Sequence, residues 1–276
     1  MIWQTSRHQI DVTRVRIMGV VNVTPDSFFD GGQHDCTSSA IAHCEQLLRD
    51  GADILDIGGE SSRPGARPVS AQEELERLIP VFRAALSMGC PVSVDTAKTE
   101  VMRRVLDMGA DIVNDINALQ APGALDAVAA HAACGAVLMH MRGKPKTMQH
   151  DVRYDDVVVE VGSFLRARAE ALMSGGVDRS RIVLDPGIGF GKSVENNVEL
   201  LARQRELADI GFPLLVGWSR KSTLGALTGR PLADRQIGSV AAALASVQNG
   251  ANLVRVHDVA ATADALAVWR AAGLCQ

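Results

Sequence analysis

The feature that most constrains this chain is a repeating alternation. Eight short runs of mostly branched apolar residues recur along its 276 residues, at 15–22, 53–58, 91–95, 111–115, 136–140, 182–185, 213–217 and 253–257. Most are continuous Val, Ile and Leu, as in parallel strands buried on both faces. Between them lie segments with apolar residues at helical spacing, near 38–50, 70–88, 99–108, 123–132, 155–174, 194–208, 236–249 and 260–272. In the second, Ser70 and Glu73 form a capping-box pattern ahead of Leu75, Leu78, Ile79 and Phe82. The phrases DGADILDIGG, MGADIVNDI and NGANLVRVHD resemble one another, each a glycine helix stop followed by a strand. Eight strand–helix units at this length predict an α/β fold of the (β/α)8 TIM-barrel type, as one domain over residues 1–276. A doubly wound open sheet usually has fewer strands and fits less well. The residues before Val15 predict a short N-terminal hairpin or strap at the bottom of the barrel.

Composition removes several classes of function. A formal charge of −4 leaves no overall basic field to recruit nucleic acid or an anionic membrane. No apolar run is long enough to span a bilayer, and the N-terminus lacks a charged start followed by an apolar core. The five cysteines, at 36, 44, 90, 134 and 275, are scattered without a Cys-x-x-Cys pair. They read as reduced thiols of a cytoplasmic protein, not as a disulfide frame or zinc site.

Active sites of such barrels lie at the C-terminal ends of the strands. The strand ends here carry Asn22, Asp95, Asn114 with Asp115, Met139 with His140, Asp185, and Arg255 with His257; Ser62 and Arg63 follow strand two, and Ser219-Arg220-Lys221-Ser222 follows strand seven. A lone Asp after a strand is ordinarily a cap or turn residue, and Asp56 and Asp115 read as such structural groups. Polar residues at nearly every strand end converge on one site instead. Asp95, Asn114 and Asp185 beside apolar Met139 and Phe190 suit a flat heterocycle rich in N–H donors. Arg63, Arg255 and His257 suit an anion with several oxygens, such as a diphosphate. Arg255 and His257, two apart, face the same side. The Ser219–Ser222 turn sits where a helix starts, and is read as an anion site. DPGIGFGK (185–192) lacks phosphate-loop spacing and reads as a tight turn that brings backbone close to a ring, with Phe190 packed there.

The segments MGVVNVTPDSFFDGG, DIGGESSRPGA, SVDT, VNDI, LMHMRGKPKTMQ, LDPGIGFGK, VGWSRKS and RVHDV run in order from Ile17 to Val259. Together they resemble the dihydropteroate synthases, the folate-pathway enzymes that sulfonamides inhibit. The resemblance implies a homodimeric (β/α)8 barrel that joins 7,8-dihydropterin-6-ylmethyl diphosphate to 4-aminobenzoate. It implies that Asp95, Asn114, Asp185 and Lys221 hold the pterin in a slot shaped by Met139, Phe190 and Gly217. Arg255 would touch pterin and diphosphate. Ser62, Arg63 and His257 would bind diphosphate, and Asn22 would ligate the Mg²⁺ that it carries. Phe28, Pro64, Lys221 and Ser222 would form the aminobenzoate pocket. Ser62, Phe29, Ile188 and Trp218 depart from residues common in the family, but no charged site residue is lost.

The chemistry implied is loss of diphosphate from an electron-rich pterin methylene, followed by attack of an aniline nitrogen. Such a cation needs stabilised leaving-group charge and exclusion of water. Asp95 and Asp185 provide a negative wall, and residues 24–36 and 61–69 are the lid segments, with Asp30 placed to pair with Arg63. A folate-binding methyltransferase of similar barrel architecture is the alternative. It would share Asp95, Asn114 and Asp185 without needing Arg63, His257 or the Ser219–Ser222 turn. A non-catalytic pterin carrier is the other.

Overall fold

The structure is a computed structural model. It describes residues 1–24, 33–61, 65, 67–143, 145, 147–149 and 152–275, with side chains at 33–36 excepted. A hairpin of β1 (Ile2–Gln4) and β2 (Gln9–Asp11) precedes eight parallel strands: β3 (Arg16–Asn22), β4 (Ile54–Gly58), β5 (Val92–Asp95), β6 (Ile112–Asp115), β7 (Gly135–Met139), β8 (Ile182–Asp185), β9 (Leu215–Val216) and β10 (Leu253–Val256). Their order is β8-β7-β6-β5-β4-β3-β10-β9. A parallel bridge between Leu184 and Leu214 joins the two ends, with the Leu184 N–H donating to the Pro213 carbonyl at 3.0 Å. This is the (β/α)8 barrel with the N-terminal hairpin that the alternation predicts.

The period of two along a strand sorts side chains into two cores. Between strands and helices lies the larger cluster, with Leu55, Val94, Val113, Leu138 and Leu184 packed among Phe82, Val105, Leu165 and Leu266. A second cluster joins Met18, Ile54, Ile112, Val137, Val183, Leu215 and Leu253, from seven of the barrel strands, to Trp3, Ile10 and Val12 of the hairpin segment. This is the lower lumen, and the hairpin plugs it. Two residues further along six of those strands stand Asp56, Asn114, Met139, Asp185, Gly217 and Arg255. The same alternation that fills the barrel's base with hydrocarbon therefore places polar groups above it.

The plug is also hydrogen-bonded in place. Trp3 is fully buried, and its indole N–H donates to the Arg181 carbonyl at 3.0 Å. Arg181, itself buried, donates to the carbonyls of Cys134 (2.8 Å) and Val128 (3.0 Å). Gly135 lets the indole approach: a Cβ there would stand 3.0 Å from the Trp3 ring nitrogen.

The helices are α1 (Gln33–Arg49), α2 (Ala71–Leu86), α3 (Thr99–Asp107), α4 (Ala124–Ala130), α5 (Val157–Ser174), α6 (Val194–Ala202), α7 (Gln204–Ala208), α8 (Ser222–Thr228), α9 (Gln236–Gln248) and α10 (Val259–Ala271). Three details differ from the sequence expectation. The Ser70 hydroxyl caps Glu73 N–H at 3.1 Å, but the Glu73 carboxylate is taken by Arg77 and Arg67, so this box forms only in half. The reciprocal box forms instead at Ser193 and Asn196, at the start of α6. The helix expected over 194–208 breaks at Arg203, whose guanidinium gathers Asp156, Glu199 and Glu206. The seventh unit holds two helices rather than one: α8 follows β9, and β9 starts only at Leu215, since Pro213 has no N–H and the Leu214 N–H donates to the Asn252 side chain instead of the ladder.

Truncating the plug tests this account. Trp3→Ala is expected to lower unfolding free energy by about 3–5 kcal/mol, measured by urea denaturation. A loss below about 1 kcal/mol would mean that the hairpin does not support the lumen.

Candidate active site

The polar layer is organised around Arg255. Its Nε donates to Asp56 Oδ2 at 2.6 Å and its terminal nitrogen to Asp95 Oδ2 at 2.8 Å, while Asn114 Nδ2 donates to the same Asp56 oxygen at 3.1 Å. β10, β4, β5 and β6 are thereby joined across the lumen. Burial alone would lower the Arg255 pKa, but the Asp56 and Asp95 carboxylates outweigh it and hold the guanidinium charged. Burial raises Asp95 to about 7, against the pull of Arg255.

A cleft opens above this layer, bounded by Asp95, Asn114, Ile116, Met139, Asp185, Gly187, Ile188, Phe190, Gly217, Ser219, Lys221, Arg255 and His257. Asp185 is buried, and burial raises its pKa; the Gly187 N–H, donating to Oδ1 at 2.7 Å, is the chief opposing influence, followed by the charges of Lys221, Arg255 and Lys192. Lys221 donates to the Ile188 carbonyl at 2.8 Å, and its ammonium lies 4.1 Å from the Phe190 ring centroid. Burial brings Lys221 down to about 8, with Asp185 opposing. His257 follows β10; its backbone N–H donates to Ser219 Oγ at 3.0 Å, and its Nδ1 lies 3.0 Å from the same oxygen.

Nine of the residues singled out from the sequence thus share one cleft: Asp95, Asn114, Met139, Asp185, Phe190, Gly217, Lys221, Arg255 and His257. Asn22 ends β3, half-buried, in register with Gly58, which is itself in register with Asp95. Ser222 opens α8 beside Lys221 and is exposed. Phe28, Ser62, Arg63 and Pro64 lie outside the described residues, as do Phe29 and Asp30.

Three side chains beside the site are engaged within the protein. Asp115 is structural as expected, its carboxylate accepting from the N–H groups of Asn117 and Leu119, both at 2.8 Å. Asp56 is more than that, because it binds the two site residues Arg255 and Asn114. The signal was present in Ile54-x-Asp56, which keeps Asp56 on the lumen side of its strand. Within the Ser219–Ser222 turn, Arg220 is drawn to Asp258 by two hydrogen bonds, at 2.6 and 3.1 Å. It adopts φ +59, and its guanidinium is occupied in tying the β9 loop to the end of β10.

The family model of pterin binding enzymes matches residues 18–257. The dihydropteroate synthase of Neisseria meningitidis serogroup B is 52% identical to the chain, across 99% of this chain and 98% of the relative. The chain belongs to the dihydropteroate synthase family. Among solved structures, the Xanthomonas albilineans dihydropteroate synthase with 4-aminobenzoic acid superposes with a TM-score of 0.92 at 50% identity, covering 99% of each chain. The same organism's enzyme in complex with 7,8-dihydropteroate gives 0.89 at 48% identity, covering 98% of each chain. The family's pterin-binding barrel is therefore present nearly end to end.

Removing Asp56, the fully buried partner, should leave the half-buried Arg255 with one carboxylate and Asn114 without its acceptor. Asp56→Ala is expected to destabilise the fold by about 3–5 kcal/mol in urea titration, the usual cost of breaking a buried ion pair. A neutral outcome would contradict the central role of this contact.

Proposed function

We propose that the chain catalyses dihydropteroate synthesis, joining (7,8-dihydropterin-6-yl)methyl diphosphate to 4-aminobenzoate with release of diphosphate. The observation that carries this reading is the opposition within one cleft of acceptors (Asp95, Asn114, Asp185) and donors (Lys221, Arg255, His257). Carboxylates and an amide on the inner wall match the ring N–H and amino groups of a pterin, between Met139 and Phe190. The cations and the imidazole match the oxygens of the diphosphate.

The reaction follows from that placement. The bond between the pterin methylene carbon and the diphosphate oxygen breaks, and its electron pair leaves with diphosphate. The positive charge left behind spreads over the pterin ring, beside Asp95 and Asp185. The amine of 4-aminobenzoate forms the new C–N bond and then loses a proton. No covalent link to the protein is needed. Phe28, Pro64, Lys221 and Ser222 would seat the aminobenzoate, and Ser62 with Arg63 would hold diphosphate. Sulfonamides, as aminobenzoate analogues, would compete for that seat.

Mg²⁺ in this reading enters with the diphosphate, with Asn22 as its protein ligand. Among the described residues no group of three or more His, Cys, Asp or Glu could hold a metal ion. A single amide oxygen at the rim suits an ion that arrives bound to phosphate oxygens. Bound there, the ion would neutralise charge on the leaving group.

The chain would act as a homodimer. Leu227 on α8, Leu232 after it, Ile237 on α9 and Val268 on α10 are exposed apolar residues on successive elements, with α9 packed against both helices. Ile237, 83% exposed, is the most exposed of them. Ile237→Asp should shift the protein to monomer in sedimentation velocity without lowering its melting temperature; an unchanged dimer would exclude this face. No helix among the described residues is long and apolar enough to cross a membrane, and a cytoplasmic site of action is the reading consistent with reduced cysteines.

The direct test is diphosphate release from the pterin diphosphate with Mg²⁺ present, with and without 4-aminobenzoate. Product should appear as dihydropteroate only when both substrates are present. A methyltransferase would release no diphosphate. The alkaline limb of kcat/KM should fall near pH 8, as Lys221 loses its proton, and Lys221→Arg should move that limb upward. A limb that ignores this substitution would remove Lys221 from the titration.

A further inference from the structure

The glycine-rich loop that walls the cleft is held by its carbonyls. Lys192 Nζ donates to the carbonyls of Gly187 (3.0 Å) and Phe190 (3.1 Å), Lys221 to that of Ile188, Gln149 to that of Gly189 (2.8 Å), and the Tyr154 hydroxyl to that of Gly191 (2.8 Å). Gly187, Gly189 and Gly191 all have positive φ, and a Cβ on Gly187 would overlap the His140 carbonyl. The loop therefore rests directly on the backbone that leaves β7.

Lys192 is the fastening between the two. It is 2% exposed, and besides the two loop carbonyls its Nζ meets His140 Nδ1 at 2.9 Å and the His140 carbonyl at 3.3 Å. Burial, reinforced by the charges of Lys192 and Arg142, brings His140 down to about 3, so its ring is neutral. Facing an ammonium at 2.9 Å, the neutral ring would take the tautomer with its proton on Nε2, leaving the Nδ1 lone pair to accept from Lys192. The cage consists of acceptors, which an ammonium satisfies; a neutral amine would set its own lone pair against one of them. The residues that cage Lys192 also grip Asp185: the His140 N–H donates to the Asp185 carbonyl at 3.0 Å, and the Gly187 N–H to its carboxylate.

We propose that Lys192 is a positioning residue for the pterin: a buried ammonium that locks the Gly187–Phe190 wall to the end of β7 and places a fixed positive charge behind the Asp185 carboxylate. The proposal rests on the pterin reading above. The charged groups facing Asp185 are Lys221 at the start of α8, Arg255 on β10 and Lys192 itself. Those facing Lys192 are Asp185, Lys221 and Arg142. Burial, with the charges of Lys221 and Arg142, draws the Lys192 pKa well below the ordinary lysine value; Asp185 opposes this, and the carbonyl oxygens of the cage, each calling for a donor, favour the ammonium. Lys221 and Arg255 belong to the cleft and meet substrate, whereas Lys192 is screened from it by the loop it holds.

The test separates charge from tether. Lys192→Met removes both, Lys192→Gln keeps an N–H donor without the charge, and Tyr154→Phe removes a different tether of the same loop while leaving the charge. In the ligand-free protein, the ¹³C carboxyl titration of Asp185, assigned by its loss in Asp185→Asn, should move up by about one pH unit in both Lys192 variants. It should stay in place in Tyr154→Phe. Calorimetry with 6-hydroxymethyl-7,8-dihydropterin should show binding by the Lys192 variants that is about tenfold weaker at pH well below the wild-type Asp185 midpoint, about twofold weaker at the shifted midpoint, and recovered at higher pH. Lys192→Gln decides the matter where Lys192→Met does not fold. An unmoved Asp185 titration, or weakening that is the same at every pH, overturns the proposal and leaves the pterin reading intact. Wild-type protein that binds no pterin overturns that reading, and this proposal with it.

Discussion

A half-buried guanidinium inside the barrel, paired with the fully buried Asp56, is the contact on which the site depends. Arg255 reaches across the lumen to carboxylates on β4 and β5, and Asn114 of β6 joins the same Asp56 oxygen. Taking such a charge out of water costs several kcal/mol, which only close pairing and hydrogen bonding can offset. Asp56 and Asp95 provide both. The result is a polar floor of defined geometry, with Asp95 held at a raised pKa and the guanidinium kept charged. The Asp185, Lys221 and His257 groups stand around this floor, so the shape of the cleft follows from it.

That floor needs a dry base beneath it. Met18, Ile54, Ile112, Val137, Val183, Leu215 and Leu253 fill the lower lumen, and Trp3 of the hairpin closes it. Side-chain alternation makes the two layers inseparable: a one-residue slip of any strand would exchange lumen and shell along its whole length. The loops above are then fixed by side chains rather than by regular pairing. Lys192 and Lys221 grip the Gly187–Gly191 turn from behind and from the front, and the Arg220–Asp258 pair ties the β9 loop to the end of β10.

Much of this was legible in the residues. Continuous Val/Ile/Leu runs announced parallel strands, and the residues ending them announced the site; Asp95, Asn114, Asp185 and Arg255 could be named because each closes or nearly closes such a run. Asp56 was read as structural because a single carboxylate inside a strand has many roles, and its partner Arg255 lies 199 residues away. The half-formed cap at Ser70 shows the same limit. The pattern Ser70–Glu73 permits a reciprocal box, but Arg77, one turn on, competes for the Glu73 carboxylate and wins by charge. The Arg220–Asp258 pair, 38 residues apart in the chain, is likewise outside the reach of any local pattern.

Local composition determined which segments become strands and helices, and which residues stand at the strand ends, because periodicity and turn chemistry act over a few residues. It also carried the family motifs, which occupy the chain from Ile17 to Val259. Only the closed barrel decided which ends meet, which charges pair and which remain to face a ligand. Those outcomes depend on distances between residues far apart in sequence, and on burial, which sets the strength of each charge interaction. Lys192 is the clearest case: in the sequence it is one lysine after a glycine-rich turn, and in the fold it is a cation enclosed by His140 and the wall of the cleft.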